Sequence, residues 1–151
     1  IEDFKKKLDK KSRLMGIDPG RKRLGIAICD ENKIIATPYT TLIKNDYLKF
    51  LNEIKIIVKE NDIKGIIIGN PLNLDGSNSR SSQSAKDLAI NLSKDITENI
   101  TMWDERLSSQ GAFNLTSNLN INTSKRIEKL DANSAQFILQ GALDYLTKEN
   151  T

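Results

Sequence analysis

A chain of 151 residues, 38% hydrophobic and 28% charged, fits one globular domain and holds no apolar run long enough to cross a bilayer. It has no histidine and a single cysteine, Cys29, which removes histidine nucleophile pairs, histidine general bases, His-containing zinc sites and internal disulfides. With 23 basic against 20 acidic residues the net charge is a mild +3, so an anionic partner has to be argued from clustering. An enzyme built from this alphabet works with carboxylates, which at neutral pH bind hard cations such as Mg²⁺ or Mn²⁺.

Residues 1–12, IEDFKKKLDKKS, form a basic N-terminal extension without the apolar core of a signal peptide, so a cytoplasmic location is expected. The short apolar runs RLMGID (13–18) and RLGIAIC (23–29), joined through Pro19-Gly20, predict a β-hairpin with positive φ at the glycine. A third strand is expected over 33–43, where Pro38 points to a sheet edge or a bulge. From Asp46, a plausible N-cap, to Glu60, the residues Leu48, Leu51, Ile54, Ile57 and Val58 recur at helical spacing. GIIIG (65–69) reads as a central strand buried on both faces.

A polar loop, NPLNLDGSNSRSS, leads to a helical pattern on Ala85, Leu88, Ala89 and Leu92. NITMW (99–103) predicts the last strand, followed by Asp104, Glu105 and Arg106. Helices are expected at about 108–117 and 131–148, with a mobile polar loop over 118–130 between them. A hairpin meander followed by βα units predicts an α/β fold, a mixed sheet with helices on both faces, in one domain over 13–148. Cys29 and Met15 read as strand core, and Trp103 as core or rim packing rather than a base-stacking platform.

Three acid positions stand out. Asp18 ends the first strand, Asp104 and Glu105 end the last, and Asp131 precedes Ala135, Ile138, Ala142 and Leu146 on one helical face. Each has an ordinary explanation: Asp before Pro-Gly is turn chemistry, Asp131 could cap a helix, and the acid pair could bridge to Arg106. Gathered on one rim outside the carboxyl ends of parallel strands, they would repel one another unless a divalent cation neutralised them, an arrangement suited to phosphodiester cleavage. The basic residues Arg21, Lys22, Arg23, Arg80, Arg106, Lys125 and Arg126 mostly flank these acids and suit the phosphates of a nucleic acid.

Four segments carry a resemblance: GIDPGRKRLGIAICD, IIIGNPLNLDGSNSRSSQSA, DERLSS and KLDANSAQFILQGALD. In this order and spacing they resemble the YqgF or RuvX family, described as pre-16S rRNA nucleases and as Holliday-junction resolvases with an RNase H-like fold, over roughly residues 13–147. The resemblance implies a five-stranded mixed sheet of order 3-2-1-4-5, strand 2 antiparallel, with the GIIIGN strand between those ending at Asp18 and Glu105. It implies Asp18, Glu105 and Asp131 as catalytic, metal-binding acids, with Asp104 an additional candidate ligand. Asn70 before Pro71 and Pro19 depart from the family pattern without removing an acid.

The implied activity is a Mg²⁺- or Mn²⁺-dependent endonuclease processing the 5′ end of precursor 16S rRNA in ribosome biogenesis. Its partner would be structured RNA, and the chain a monomer or homodimer. Resolution of Holliday junctions or other branched DNA is an alternative. A non-catalytic nucleic-acid or ribosome- or transcription-associated binding protein is another, and an actin-like nucleotide-binding domain a third, against which the chain shows no second Gly-rich phosphate loop.

Overall fold

In the computed structural model, the described residues are 12–20, 22–70, 80–104 and 123–148, with side chains described at 12–20, 22–70, 83–103 and 132–146. The chain runs β1 (Arg13–Pro19), β2 (Arg23–Cys29), β3 (Ala36–Ile43), α1 (Tyr47–Glu60), β4 (Ile63–Asn70), α2 (Arg80–Asp95), β5 (Asn99–Asp104) and α3 (Thr123–Lys148). The strands form one sheet in the order β3-β2-β1-β4-β5. β2 is antiparallel to both of its neighbours, whereas β4 is parallel to β1 and to β5. This is the mixed sheet the resemblance implied, and β4 lies between the strands that carry Asp18 and Asp104.

Pro38 does both things its chemistry suggested. It sits on the edge strand, and the ladder slips there: Ile26 pairs with Thr40 but Ala27 with Pro38, leaving Tyr39 unmatched. A residue without an N–H is tolerated where an outer strand bulges. Gly20 serves its turn differently from the expectation. Its φ lies outside the left-handed region, and glycine is required because a Cβ would collide with the Arg23 carbonyl oxygen.

Asp46 caps α1, its Oδ1 accepting from the N–H groups of Leu48 (3.0 Å) and Lys49 (3.4 Å). The helix buries Phe50, Leu51, Ile54 and Ile57. Leu48 does not join that stripe; it is 69% exposed, because the buried face centres half a turn away.

The largest departure is at the last helix. Residues expected to form a loop up to 130 are helical from Thr123, so α3 begins eight residues before Asp131. Asp131 therefore stands inside the helix and is not its cap. The ladder also makes the strands differ from expectation at their ends, with β4 starting at Ile63 and β3 at Ala36. The helix expected at 108–117 lies outside the described residues.

The sheet separates two cores. On one face α1 and α2 cover Met15, Ile17, Ile26, Ile66 and Ile68, packed with Phe50, Ile54, Leu88 and Leu92. On the other, α3 covers Leu14, Ala27, Cys29, Ala36 and Ile67 with Ala135, Ile138, Leu139, Ala142, Leu143 and Leu146. Strand alternation assigns the residues of β1 cleanly: Met15 and Ile17 to the first face, Leu14, Gly16 and Asp18 to the second. Cys29 and Met15 are core, as expected; the Cys29 Sγ accepts from the Leu14 N–H (3.2 Å), and burial pushes its thiol pKa up.

Candidate active site

The three parallel strands end on one rim. Ile17 is level with Ile68, so Asp18 comes one step beyond it, and Asn70 pairs with Asp104 on the far side of β4. β1 and β5 are two strand spacings apart, about 10 Å between backbones. Asp18 itself is half-buried, pairs across the hairpin with Gly25, and lies on the α3 face. Asp104 is the last residue of β5. Glu105 and Arg106 lie outside the described residues, as does Arg21.

What brings α3 to that rim is the absence of a side chain on Gly16. A Cβ there would stand 2.8 Å from the Leu139 Cβ and 3.1 Å from the Ala135 carbonyl oxygen, so the helix backbone rides directly on β1. The direction of α3 follows from two glutamines. Gln136 Nε2 donates to the Ala36 carbonyl (3.0 Å). One turn later Gln140 accepts from the Ala36 N–H (2.9 Å) and donates to the Ile34 carbonyl (2.8 Å). As the helix advances its partners step back along the chain, so α3 runs antiparallel to β3 and hence to β1.

Two steps of similar length toward the rim result. Asp18 is two residues past Gly16, about 6.6 Å along the strand. Asp131 is four residues before Ala135, just over one helical turn or about 6 Å. Both displacements start from the same contact and run toward the same end of the sheet. On β5, Trp103 packs on the α3 face, its ring 5.5 Å from that of Tyr145. It is packing, as expected, and not a free stacking platform.

The predicted basic residues divide. Lys22 is exposed and Arg23 half-buried at the mouth of the hairpin, on the same rim. Arg80 was expected in a loop and instead opens α2; Lys125 and Arg126 were expected in a loop and instead belong to the first turns of α3. The run TSKRIEK is rich in good helix formers, and Ile127 and Leu130 are three apart, which is why a polar segment continues the helix.

Two residues escaped the sequence reading. Gly16 had a signal, an isolated glycine inside an apolar strand, which marks a close backbone approach. Lys44, which lines a cleft with Lys22 and Arg23, had none, being a lone lysine between a strand and a helix cap. A second cleft of about 430 Å³, lined by Lys55, Lys59, Asp62, Lys64, Asp95 and Glu98 among others, opens at the opposite end of the sheet. Its charges are mixed in sign, and none of the expected site residues lines it.

Among the described residues no three His, Cys, Asp or Glu groups gather into a metal-holding set, and no helix is long and apolar enough to cross a membrane.

Comparison with known proteins agrees with the architecture. Over 89% of this chain and 96% of the other, the fold resembles Thermus thermophilus RuvC, solved with a Holliday junction substrate, at a TM-score of 0.55 and 10% identity. That likeness identifies the RNase H-like fold. A Pelagibacter ubique protein named "Putative pre-16S rRNA nuclease" is 54% identical over 97% of each chain. A Novosphingobium aromaticivorans protein of the same name is 41% identical over 88% of this chain and 85% of its own. The family described as "RuvX: Holliday junction resolvase" matches residues 12–145. From the four motifs, the sheet order and these matches together, the chain belongs to the RuvX family.

Proposed function

We propose that this chain is a divalent-metal-dependent endonuclease that processes the 5′ end of precursor 16S rRNA in the cytoplasm, with Asp18, Glu105 and Asp131 as its working acids. The observation that carries the reading is the contact of Gly16 with Ala135 and Leu139, from which Asp18 and Asp131 both step toward one rim. Glu105 takes the third position on the resemblance of DERLSS to the family motif. Asp104, at the end of β5, is the lesser candidate.

A set of carboxylates without histidine fits a hard cation, Mg²⁺ or Mn²⁺. Held by Asp18, Glu105 and Asp131, such an ion supplies activation of water and neutralisation of the charge that develops on the leaving oxygen. The chain's own part is to fix the acids on rigid elements. Asp18 is set by the β1–β2 ladder, and α3 is set by its seat on Gly16 and by the two glutamines. Lys22 and Arg23 at the hairpin mouth take phosphates beside the scissile one, with Arg21, Arg80, Arg106, Lys125 and Arg126 as further contacts.

Asp18→Asn tests the reading. Metal-dependent cleavage of a precursor rRNA end should fall on the order of 10³-fold or more with the melting temperature unchanged; retained cleavage would overturn the mechanism. The family's description favours a second reading, cleavage of four-way DNA junctions. A junction has two-fold symmetry and calls for a homodimer, whereas an RNA end is served by a monomer. Parallel assays on both substrates separate these, and RNA binding in EDTA without turnover at any metal concentration would leave a binding protein.

A further inference from the structure

At the outer end of the hairpin, Lys22, Arg23, Ile43, Lys44 and Asn45 line a cleft of about 430 Å³. Three of the five are cations and none is an acid. We infer that Lys44 completes a phosphate-binding step with Lys22 and Arg23, which takes the RNA strand a few nucleotides from the scissile phosphate; this rests on the nuclease reading. Lys44 is no loose surface lysine in its backbone. Its N–H donates to the Lys22 carbonyl (2.8 Å), and the residue before it, Ile43, pairs with Arg23 at the end of the β2–β3 ladder. The hydrogen bond and the ladder hold the backbones that present the three cations.

The step shares an end of the sheet with Asp18. Asp18 pairs with Gly25, Gly25 with Thr41, and Lys44 follows Thr41 by three residues. Two strand spacings across and three residues along separate the Asp18 and Lys44 backbones by about 14 Å. That span is too long for one phosphate to bridge and short enough for one strand to pass over both.

Charge also sets where the track stops. Asp46 and Glu53 line the adjoining groove with Thr41, Asn45 and Lys49. Asp46 is engaged at the N-terminus of α1, where its carboxylate faces the Leu48 and Lys49 N–H groups. A polyanion is therefore guided along the hairpin side, away from the groove that holds two acids.

The experiment uses the full chain and a 5′-labelled stem-loop RNA with a single-stranded extension, in EDTA, with Kd measured by anisotropy against salt. Lys44→Ala should raise Kd about three- to tenfold and lower the slope of log Kd against log salt by about one phosphate contact. Lys59→Ala, at the opposite end of the sheet, should leave both unchanged. An unaltered slope in folded Lys44→Ala, or an equal loss in Lys59→Ala, overturns the assignment. Cleavage by Asp18→Asn would instead overturn the active-site reading and leave the Lys44 binding result standing.

Discussion

The two faces of the sheet differ in how many small residues they carry. The face under α1 and α2 is filled by large aliphatic side chains, Met15, Ile17, Ile26, Ile66 and Ile68, and by Phe50. The face under α3 keeps large residues such as Leu14, Ile67 and Leu139 but adds small ones where helix and strands meet, Gly16, Ala27 and Ala36 in the strands and Ala135 and Ala142 in the helix. Bulk holds elements together from a distance and tolerates some repacking. Small residues let backbones approach, so position is set by hard contact instead. Asp18 belongs to the second face. The difference separates a face that supplies stability from one that supplies placement.

That comparison breaks or sharpens under substitution. Phe50→Ala, on the bulky face, should cost about 3–5 kcal/mol in urea unfolding. At a temperature where the variant stays folded, its cleavage rate per folded molecule should match the parent; a specific loss of turnover would show that this face also places the site. Gly16→Ala should cost less, about 1–3 kcal/mol, because Leu139 and the Ala135 carbonyl have to move. Its cleavage should nonetheless fall about 10²-fold, since a shift of α3 by about 1 Å displaces one acid from the others.

Asp30 offers the mildest test. Its Oδ1 accepts from the Ile34 (2.8 Å) and Ile35 (2.9 Å) N–H groups, in the turn that hands Ile34 and Ala36 to Gln140. The bond from the Ile35 N–H is the main reason its carboxyl pKa lies below the ordinary value. A depressed folded pKa contributes stability above the unfolded pKa and loses it as pH falls through the folded one. Asp30→Ala should therefore cost less than about 1 kcal/mol at neutral pH. The gap between variant and parent, read from urea melts, should close on acidification.

Much of the fold is visible in the residues. Pro38 announced the edge, Asp46 the start of α1, and GIIIG the central strand, each through a local constraint that tertiary context did not override. The start of α3 was not visible, because a helix whose first turns are polar looks like a loop until its continuation is known. Of the candidate site, Asp18 was legible as an acid near the end of β1, one residue before its last, Pro19. The closeness of α3 was not, because a glycine says that something approaches but not what. Lys44 was invisible for a related reason: its value comes from Lys22 across the ladder, a neighbour far off in sequence.

The glutamine ties between α3 and the chain entering β3 join residues 100 to 106 apart in sequence. During synthesis the sheet and its bulky face are complete as a sequence long before α3 leaves the ribosome. Until then the α3 side of Gly16 is uncovered. On the proposed nuclease reading, the element that would bring Asp131 to the rim of Asp18 is therefore the last to arrive among those described.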